Sequence, residues 1–227
     1  DHEHVAAAGV FADADVDLSC QVALQARTIN TGQSCIAAKR FILEKPIAAE
    51  FEKKLIEHFK TLKMGDPMDP TVNIGPLAKP EIRADLERQV KDATQKGAKI
   101  LVGGKSRPGK GFFFEPTLLT GITPEMAVYR EETFGPVMSL FIVENAEGAI
   151  ALANDSEFGL GASIWTKDLA LAEQMAARIE SGFVSINGMV KSDPRLPFGG
   201  VKKSGFGREL GSYGIKEFVN VKTVVVN

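Results

Sequence analysis

Between residues 137 and 188, apolar runs and helical segments alternate with almost no slack, and nothing else in the chain restricts its fold as much. "VMSLFIVE" (137–144) reads as a buried strand, and "NAEGAIALAND" as a helix opened by Asn145. "GASIWT" is a strand, "DLALAEQMAARIES" a helix capped by Asp168, and "GFVSING" a further strand. Strands separated by helices of about ten to fifteen residues cannot pair as hairpins, because each crossover brings the chain back in the same direction. The pattern predicts an α/β layered domain with a largely parallel sheet.

The first half fits that plan. "DADVDLSCQVALQARTI" (13–29) reads as a helix with Asp13 or Asp15 near its N-cap and Val16, Leu18, Val22 and Leu24 inward. "KRFILE" (39–44) is a short strand. "PIAAEFEKKLIEHFKTL" (46–62) is a helix with Pro46 in its first turn and Phe51, Leu55, Phe59 and Leu62 on one face. "GDPMDPTVNIGPLAKP" (65–80) is an irregular loop, and Ile82, Leu86 and Val90 mark a helix closing at Gly97. A strand "KILVGG" and the stretch "GFFFEPTLL" come next. The tail "EFVNVKTVVVN" is β-prone and apolar. A terminal strand of that kind is either an edge strand or pairs outside its own domain, for instance with a partner subunit.

A chain of 227 residues, 44% hydrophobic, can bury a core as one large domain or two small ones. A net charge of −2 leaves no electrostatic footprint for nucleic acid or for an acidic membrane surface. No apolar stretch reaches the roughly 18 to 20 residues that a membrane-spanning helix needs. The start "DHEHVAAAGV" lacks the basic opening of a secretory signal. Two cysteines make no disulfide framework, so a reducing cytoplasm is the expected compartment.

Several motifs fail on their context. "GLGASI" (159–164) resembles a dinucleotide-binding glycine loop but leads into a strand, so no helix N-terminus would face a phosphate. "GKSRPGKG" (104–111) nearly spells a P-loop, yet Gly111 stands where a Mg²⁺-binding hydroxyl is needed. His2, His4 and His58 assemble neither a Ser-His-Asp set nor a zinc cluster.

Cys35 is more informative. It follows the polar stretch Asn30-Thr31-Gly32-Gln33-Ser34, where the preceding helix breaks, so the thiol is presented on a loop. Small neighbours (Gly32, Ser34, Ala37 and Ala38) leave room for a carbonyl to approach and for a backbone N–H to meet the resulting oxyanion. Cys20 falls within the helix 13–29 and reads as a packing residue. On local chemistry alone, Cys35 is either a nucleophile or a small buried residue.

"NTGQSCIAAKR" (30–40) resembles the active-site signature of the aldehyde dehydrogenase superfamily, asparagine-x-glycine-glutamine-x-cysteine followed by an arginine. "GPLAKP" (75–80), "EETFGPV" (131–137) and "LPFGGVKKSGFGREL" (196–210), the last followed by "YGIKEF", are similar to further signatures in the family's order. The similarity runs from about residue 13 to the C-terminus. It implies that Cys35 attacks an aldehyde to give a thiohemiacetal, that hydride passes to NAD or NADP, and that water hydrolyses the remaining thioester. Glu132 matches the glutamate that holds the nicotinamide ribose, and Phe134 the aromatic near the nicotinamide. Phe198 matches an aromatic wall of the substrate pocket. Ser192 stands where relatives that use apolar aldehydes carry an aromatic. A hydroxyl there, beside Lys191 and Arg195, suits a small-molecule substrate with a carboxylate tail. The run 191–210 is most similar to bacterial succinate-semialdehyde dehydrogenases.

The family's subunits are about twice this length. Their N-terminal Rossmann-type domain binds most of the dinucleotide and contributes an amide to the oxyanion hole. The resemblance therefore implies a catalytic domain (13–195) and a C-terminal segment with an oligomerisation strand (196–227), preceded by an atypical segment (1–12) and with the Rossmann-type domain absent. The family's general base, a glutamate about 34 residues before the cysteine, falls in register on Asp1, with Glu3 nearby but out of register. Two outcomes stay open: a homo-oligomeric semialdehyde dehydrogenase, or a truncated remnant with at most residual esterase activity. In either case the isolated chain is expected to oxidise aldehydes poorly, since hydride transfer needs a positioned acceptor.

Overall fold

The structure, a computed structural model, describes residues 6–227. Its elements are β1 (Ala6–Val10), α1 (Val16–Thr28), β2 (Ala38–Glu44), α2 (Lys45–Thr61), α3 (Pro80–Gln95), β3 (Lys99–Val102), β4 (Thr117–Thr120) and α4 (Ala127–Arg130). They continue as β5 (Val137–Val143), α5 (Ala146–Asn154), β6 (Phe158–Gly159), β7 (Gly161–Trp165), α6 (Leu169–Ala176), β8 (Phe183–Ile186), β9 (Val201–Lys202) and α7 (Gly211–Gly214). Seven strands form one sheet in the order β3-β4-β5-β2-β1-β7-β8. Every neighbouring pair in it is parallel except β3 and β4. The short strands β6 and β9 pair separately.

The pleat sorts side chains into two layers. On β2, Phe41 and Leu43 join Cys20 and Ala23 of α1 and Phe51, Leu55 and Phe59 of α2 in one core. Ile42, between them, joins Phe141, Ile150, Ile164 and Met175 beneath α5 and α6. A third cluster, with Leu86 and Val90 of α3, Phe114, Leu119 and Val137, closes the β3–β4 end. Three helices begin where an Asx cap is available: the side chains of Asp15, Asn145 and Asp168 accept from Leu18 N, Gly148 N and Leu171 N. The α1 cap is thus Asp15. Asp13 accepts instead from Thr166 Oγ1 and from the backbone of Lys167 and Asp168.

Three sequence expectations need revision. Residues 6–10, placed in an atypical leading segment, form a central strand paired on both sides, with β2 and β7. On α1, Val16, Val22 and Leu24 pack partly buried against the core as expected, but the most buried residues are Ser19, Cys20, Ala23, Ala26 and Arg27, and Leu18 is exposed. Within the single chain, residues 219–227 adopt no regular secondary structure and lie exposed, so no edge strand forms there. Among the described residues, no helix is long and apolar enough to cross a membrane.

The topology also says where to look for chemistry. Cys35 precedes β2, Glu132 and Phe134 precede β5, Leu160 precedes β7, and Phe183 opens β8. Because these four strands run parallel, their amino ends share one edge of the sheet. Open doubly wound sheets ordinarily bind ligands at the opposite, carboxyl edge.

Candidate active site

The turn that presents Cys35 is built by an unusual backbone. After α1, Asn30 (φ 50°), Thr31 (φ 59°) and Gly32 (φ 76°) are consecutively left-handed and turn the chain toward β2. Asn30 tolerates this region and donates from Nδ2 to Gln33 O at 2.9 Å. Thr31, a β-branched residue in a region it rarely adopts, is anchored by accepting from Gly75 N at 3.1 Å. Gln33 Oε1 accepts from Ala78 N at 2.7 Å, so Thr31 and Gln33 together dock onto the 75–80 loop. A Cβ on Gly32 would lie 2.2 Å from Gly135 O. Glycine there lets the cysteine turn touch the 131–136 loop backbone to backbone.

Cys35 itself is a half-buried free thiol. It packs with Ile36, Phe183 and Leu210 against the buried trio Leu160, Val190 and Phe198. Phe183 and Phe198 lie with ring centroids 6.0 Å apart. Cys20 is fully buried, and burial pushes its thiol up to about 12. One thiol is therefore presented and the other sealed.

On the facing loop, Glu132 and Phe134 line a cavity of about 140 Å³ with Ile82, Leu86 and Gln89. α3 holds this loop: Gln89 Nε2 donates to Glu132 O at 2.9 Å, and Arg88 pairs with Glu131. Glu132 Oε1 lies 2.9 Å from the ammonium of Lys39, whose side chain is 3% exposed. Lys39 Nζ also donates to Ser34 O (3.2 Å), Cys35 O (3.2 Å) and Ala37 O (2.9 Å). Arg27, fully buried on α1, donates from Nη2 to Gly32 O at 2.6 Å. Burial lowers both cations, Lys39 to about 8 and Arg27 to about 9, while the Glu132 carboxylate opposes the shift in each.

The structure thus brings Cys35 together with Phe198, and Glu132 together with Phe134. Ser192 is exposed in the irregular 191–197 segment. Neighbouring Arg195 is already held by Asp193, with Nε and Nη2 at 2.9 and 2.6 Å from its carboxylate. Of the two cations beside Ser192, Lys191 alone makes no ion pair among the described residues. Asp1, His2, Glu3 and His4 lie outside the described residues. Among the described residues, no cluster of His, Cys, Asp and Glu could hold a metal.

Sequence reasoning passed over Lys39 and Arg27. The sequence signal was a lysine opening the apolar run "KRFILE" (39–44); that the strand is buried at every position before its last comes from its neighbours in the sheet. Arg40, the arginine of the signature, serves the opposite layer. It stacks on Tyr129 and Phe141, 4.8 and 5.2 Å from the ring centroids, and donates to Asp155 O at 3.1 Å.

Comparison with known proteins follows the same lines. The family model described as "Aldehyde dehydrogenase family" matches residues 5–224. The chain is 54% identical over 215 residues to a Synechocystis protein named "Probable succinate-semialdehyde dehydrogenase (NADP(+))", covering 95% of this chain and 47% of that one. It is 50% identical over 215 residues to a succinate semialdehyde dehydrogenase of Escherichia coli K12 whose name specifies NAD(P)+, covering 95% of this chain and 46% of that one. The crystal structure of the Streptococcus pyogenes succinic semialdehyde dehydrogenase in complex with NADP+ superposes with a TM-score of 0.94 at 39% identity, covering 99% of this chain and 49% of that one. The chain spans about half the length of the relatives it matches.

Proposed function

The chain belongs to the aldehyde dehydrogenase family, and we propose that it carries the nucleophile and the inner cofactor contacts of a cytoplasmic NAD(P)-dependent dehydrogenase oxidising a carboxylated semialdehyde, succinate semialdehyde first. The observation that supports this most is the contrast between the thiols: Cys35 is presented beside an aromatic wall, and Cys20 is sealed. The names of the relatives and the hydroxyl of Ser192 beside Lys191 favour a carboxylated substrate.

In this reading Cys35 Sγ bonds to the aldehyde carbon. The Cys35 backbone N–H, which has no acceptor among the described residues, faces the oxygen as it gains charge. Phe198, Phe183 and Leu160 keep water from that side of the sulfur. Glu132 and Phe134 fit the inner end of a dinucleotide. Their cavity of about 140 Å³ is below the roughly 300 Å³ at which pockets for whole ligands begin, and Glu132 Oε1 is buried without a hydrogen-bond donor in good geometry. Bound there, a nicotinamide would supply the hydride acceptor. What remains on Cys35 after hydride loss is a thioester, which water cleaves to the acid.

Self-association through the tail belongs to the same proposal. Phe218, Val221 and Val226 are 86%, 92% and 91% exposed, an apolar run suited to pairing with a second copy. The test of the nucleophile is ester hydrolysis, which needs no nicotinamide, measured with and without Cys35→Ser. Loss of hydrolysis in the variant supports the reading, and unchanged hydrolysis removes it. Deleting residues 219–227 and measuring the mass in solution tests the association.

A further inference from the structure

We propose that Lys39 is a positioning residue for the Cys35 nucleophile, its buried ammonium fastening the carbonyls of the cysteine turn and the Glu132 carboxylate to one point. The proposal rests on the reading of Cys35 as nucleophile given above.

The geometry is specific. An ammonium has three protons, and Lys39 Nζ has carbonyl oxygens of Ser34, Cys35 and Ala37 at 3.2, 3.2 and 2.9 Å. The contact with Glu132 Oε1 at 2.9 Å is then a charge contact rather than a fourth hydrogen bond, in keeping with the absence of a well-aligned donor at that oxygen. Arg27 grips the same segment one step earlier, at Gly32 O. Four carbonyls between Gly32 and Ala37 are therefore turned inward onto two buried cations.

Turning a carbonyl inward fixes the other side of its peptide. A trans peptide points its N–H opposite its C=O. With Ser34 O drawn to Lys39, the Cys35 N–H is directed away from the ammonium, and it has no acceptor among the described residues. A cation on the carbonyl also polarises the peptide and strengthens that N–H as a donor. Lys39 on β2, with Ala37 N as the second partner of Ser34 O, holds the nucleophile's turn and the donor for its oxyanion, and the Glu132 carboxylate is tied to the same ammonium. An uncharged side chain of similar length would fill the space but take the ammonium from three carbonyls and a carboxylate, leaving Ser34 O only its bond from Ala37 N at 3.0 Å.

The titratable groups facing Lys39 are Arg27 from α1, Glu132 from the loop before β5, and Cys35 from the turn. Burial and Arg27 lower the ammonium to about 8, against the opposing pull of Glu132 and Cys35. The sign is fixed: the grip is present below about pH 8 and lost as the pH rises through it.

The test is the pH profile of p-nitrophenyl acetate hydrolysis between about pH 6 and 10, with Cys35→Ser as the blank. Lys39→Arg and Lys39→Met are compared with the unmodified protein. The unmodified protein should show hydrolysis that declines on the alkaline side with an apparent pKa near 8. Lys39→Arg, whose guanidinium starts from an ordinary value of 12.5 against 10.5 for the ammonium, should keep the activity at pH 7 and move the decline to higher pH. Lys39→Met should fall at least about tenfold at pH 7, the size expected when reacting groups lose their alignment. Cys35-dependent hydrolysis that rises without decline to pH 10 in the unmodified protein overturns the proposal, whether or not the variants fold. So does a Lys39→Met variant as active as its parent. If the unmodified protein shows no Cys35-dependent hydrolysis at any pH, the nucleophile reading itself fails, and the two failures are told apart.

Discussion

Gly32→Ala is the substitution on which the architecture of the site makes its sharpest demand. The new Cβ would stand 2.2 Å from Gly135 O and 2.4 Å from Gly135 C, where real Cβ atoms essentially never approach within 3.0 Å. The two loops must therefore part by at least about 0.8 Å. Gly135 is in no position to yield, because its carbonyl accepts from Val137 N and its own α-carbon lies against Leu86. Overpacking of this kind costs about 1 to 3 kcal/mol. The left-handed backbone at φ +76° adds about 1 to 2 kcal/mol for a residue with a Cβ. A matched control separates the two contributions. Gly97 also has a positive φ, +103°, but a Cβ there meets nothing within 4 Å. Gly97→Ala should cost the backbone contribution alone. Thermal unfolding reads the difference: at about 2 to 4 °C per kcal/mol for a chain of this size, Gly32→Ala should melt about 2 to 12 °C below Gly97→Ala. Alkylation of Cys35 by iodoacetamide should slow in Gly32→Ala alone, since the parted loops carry the thiol with them. A Gly32→Ala protein as stable as Gly97→Ala, with Cys35 labelled at the parent rate, refutes the reasoning.

Iodoacetamide on the native protein should modify Cys35 and spare Cys20 until the chain unfolds, because Cys20 is fully buried with its thiol pushed up to about 12; peptide mapping of the label checks this. Phe198→Ala removes a ring that is 6% exposed and should cost about 3 kcal/mol, the lower end for a phenylalanine because its cluster is small; urea unfolding measures the loss. The hydrogen bond from the Tyr129 hydroxyl, with help from Arg130 and Arg40 and against the cost of burial, holds the Asp155 carboxyl below its ordinary value of 3.8. Its contribution to stability is thus complete above that value and is lost as pH falls below it. Asp155→Asn should lower the melting temperature near neutral pH and flatten its fall in acid, with a small amplitude because the carboxylate is half exposed.

Much of this molecule was legible in its sequence, for identifiable reasons. The strands β2, β5 and β7 and the helices α2, α5 and α6 carry strong apolar patterns, with Asx caps on α5 and α6 and Pro46 in the first turn of α2, and they lie within a few residues of where the pattern puts them. β1 escaped because "AAAGV" has no period to read: four small residues owe their strand conformation to pairing on both sides. The face of α1 was legible in part: Val16, Val22 and Leu24 pack against the core as the pattern expects, but the most buried contacts are made by Cys20, Ala23 and Ala26, and Leu18 turns outward. At the site, the exposure of Cys35 and the packing residue Cys20 followed from a broken helix and a helical position. The Lys39 contacts did not, because a lysine in a strand announces burial only once the neighbouring strands are known. The roles of Thr31 and Gln33 as anchors for the 75–80 loop likewise depend on a contact across more than forty residues of sequence.

Covalent chemistry at the Cys35 sulfur underlies the proposed activity, and acyl transfer tests it directly. The protein is incubated with p-nitrophenyl acetate, quenched in acid during turnover, digested and mapped by mass spectrometry. An acetyl group on Cys35, absent from Cys20 and lost in Cys35→Ser, is the predicted result. Turnover with no acyl group on Cys35, or with the label on another side chain, contradicts it.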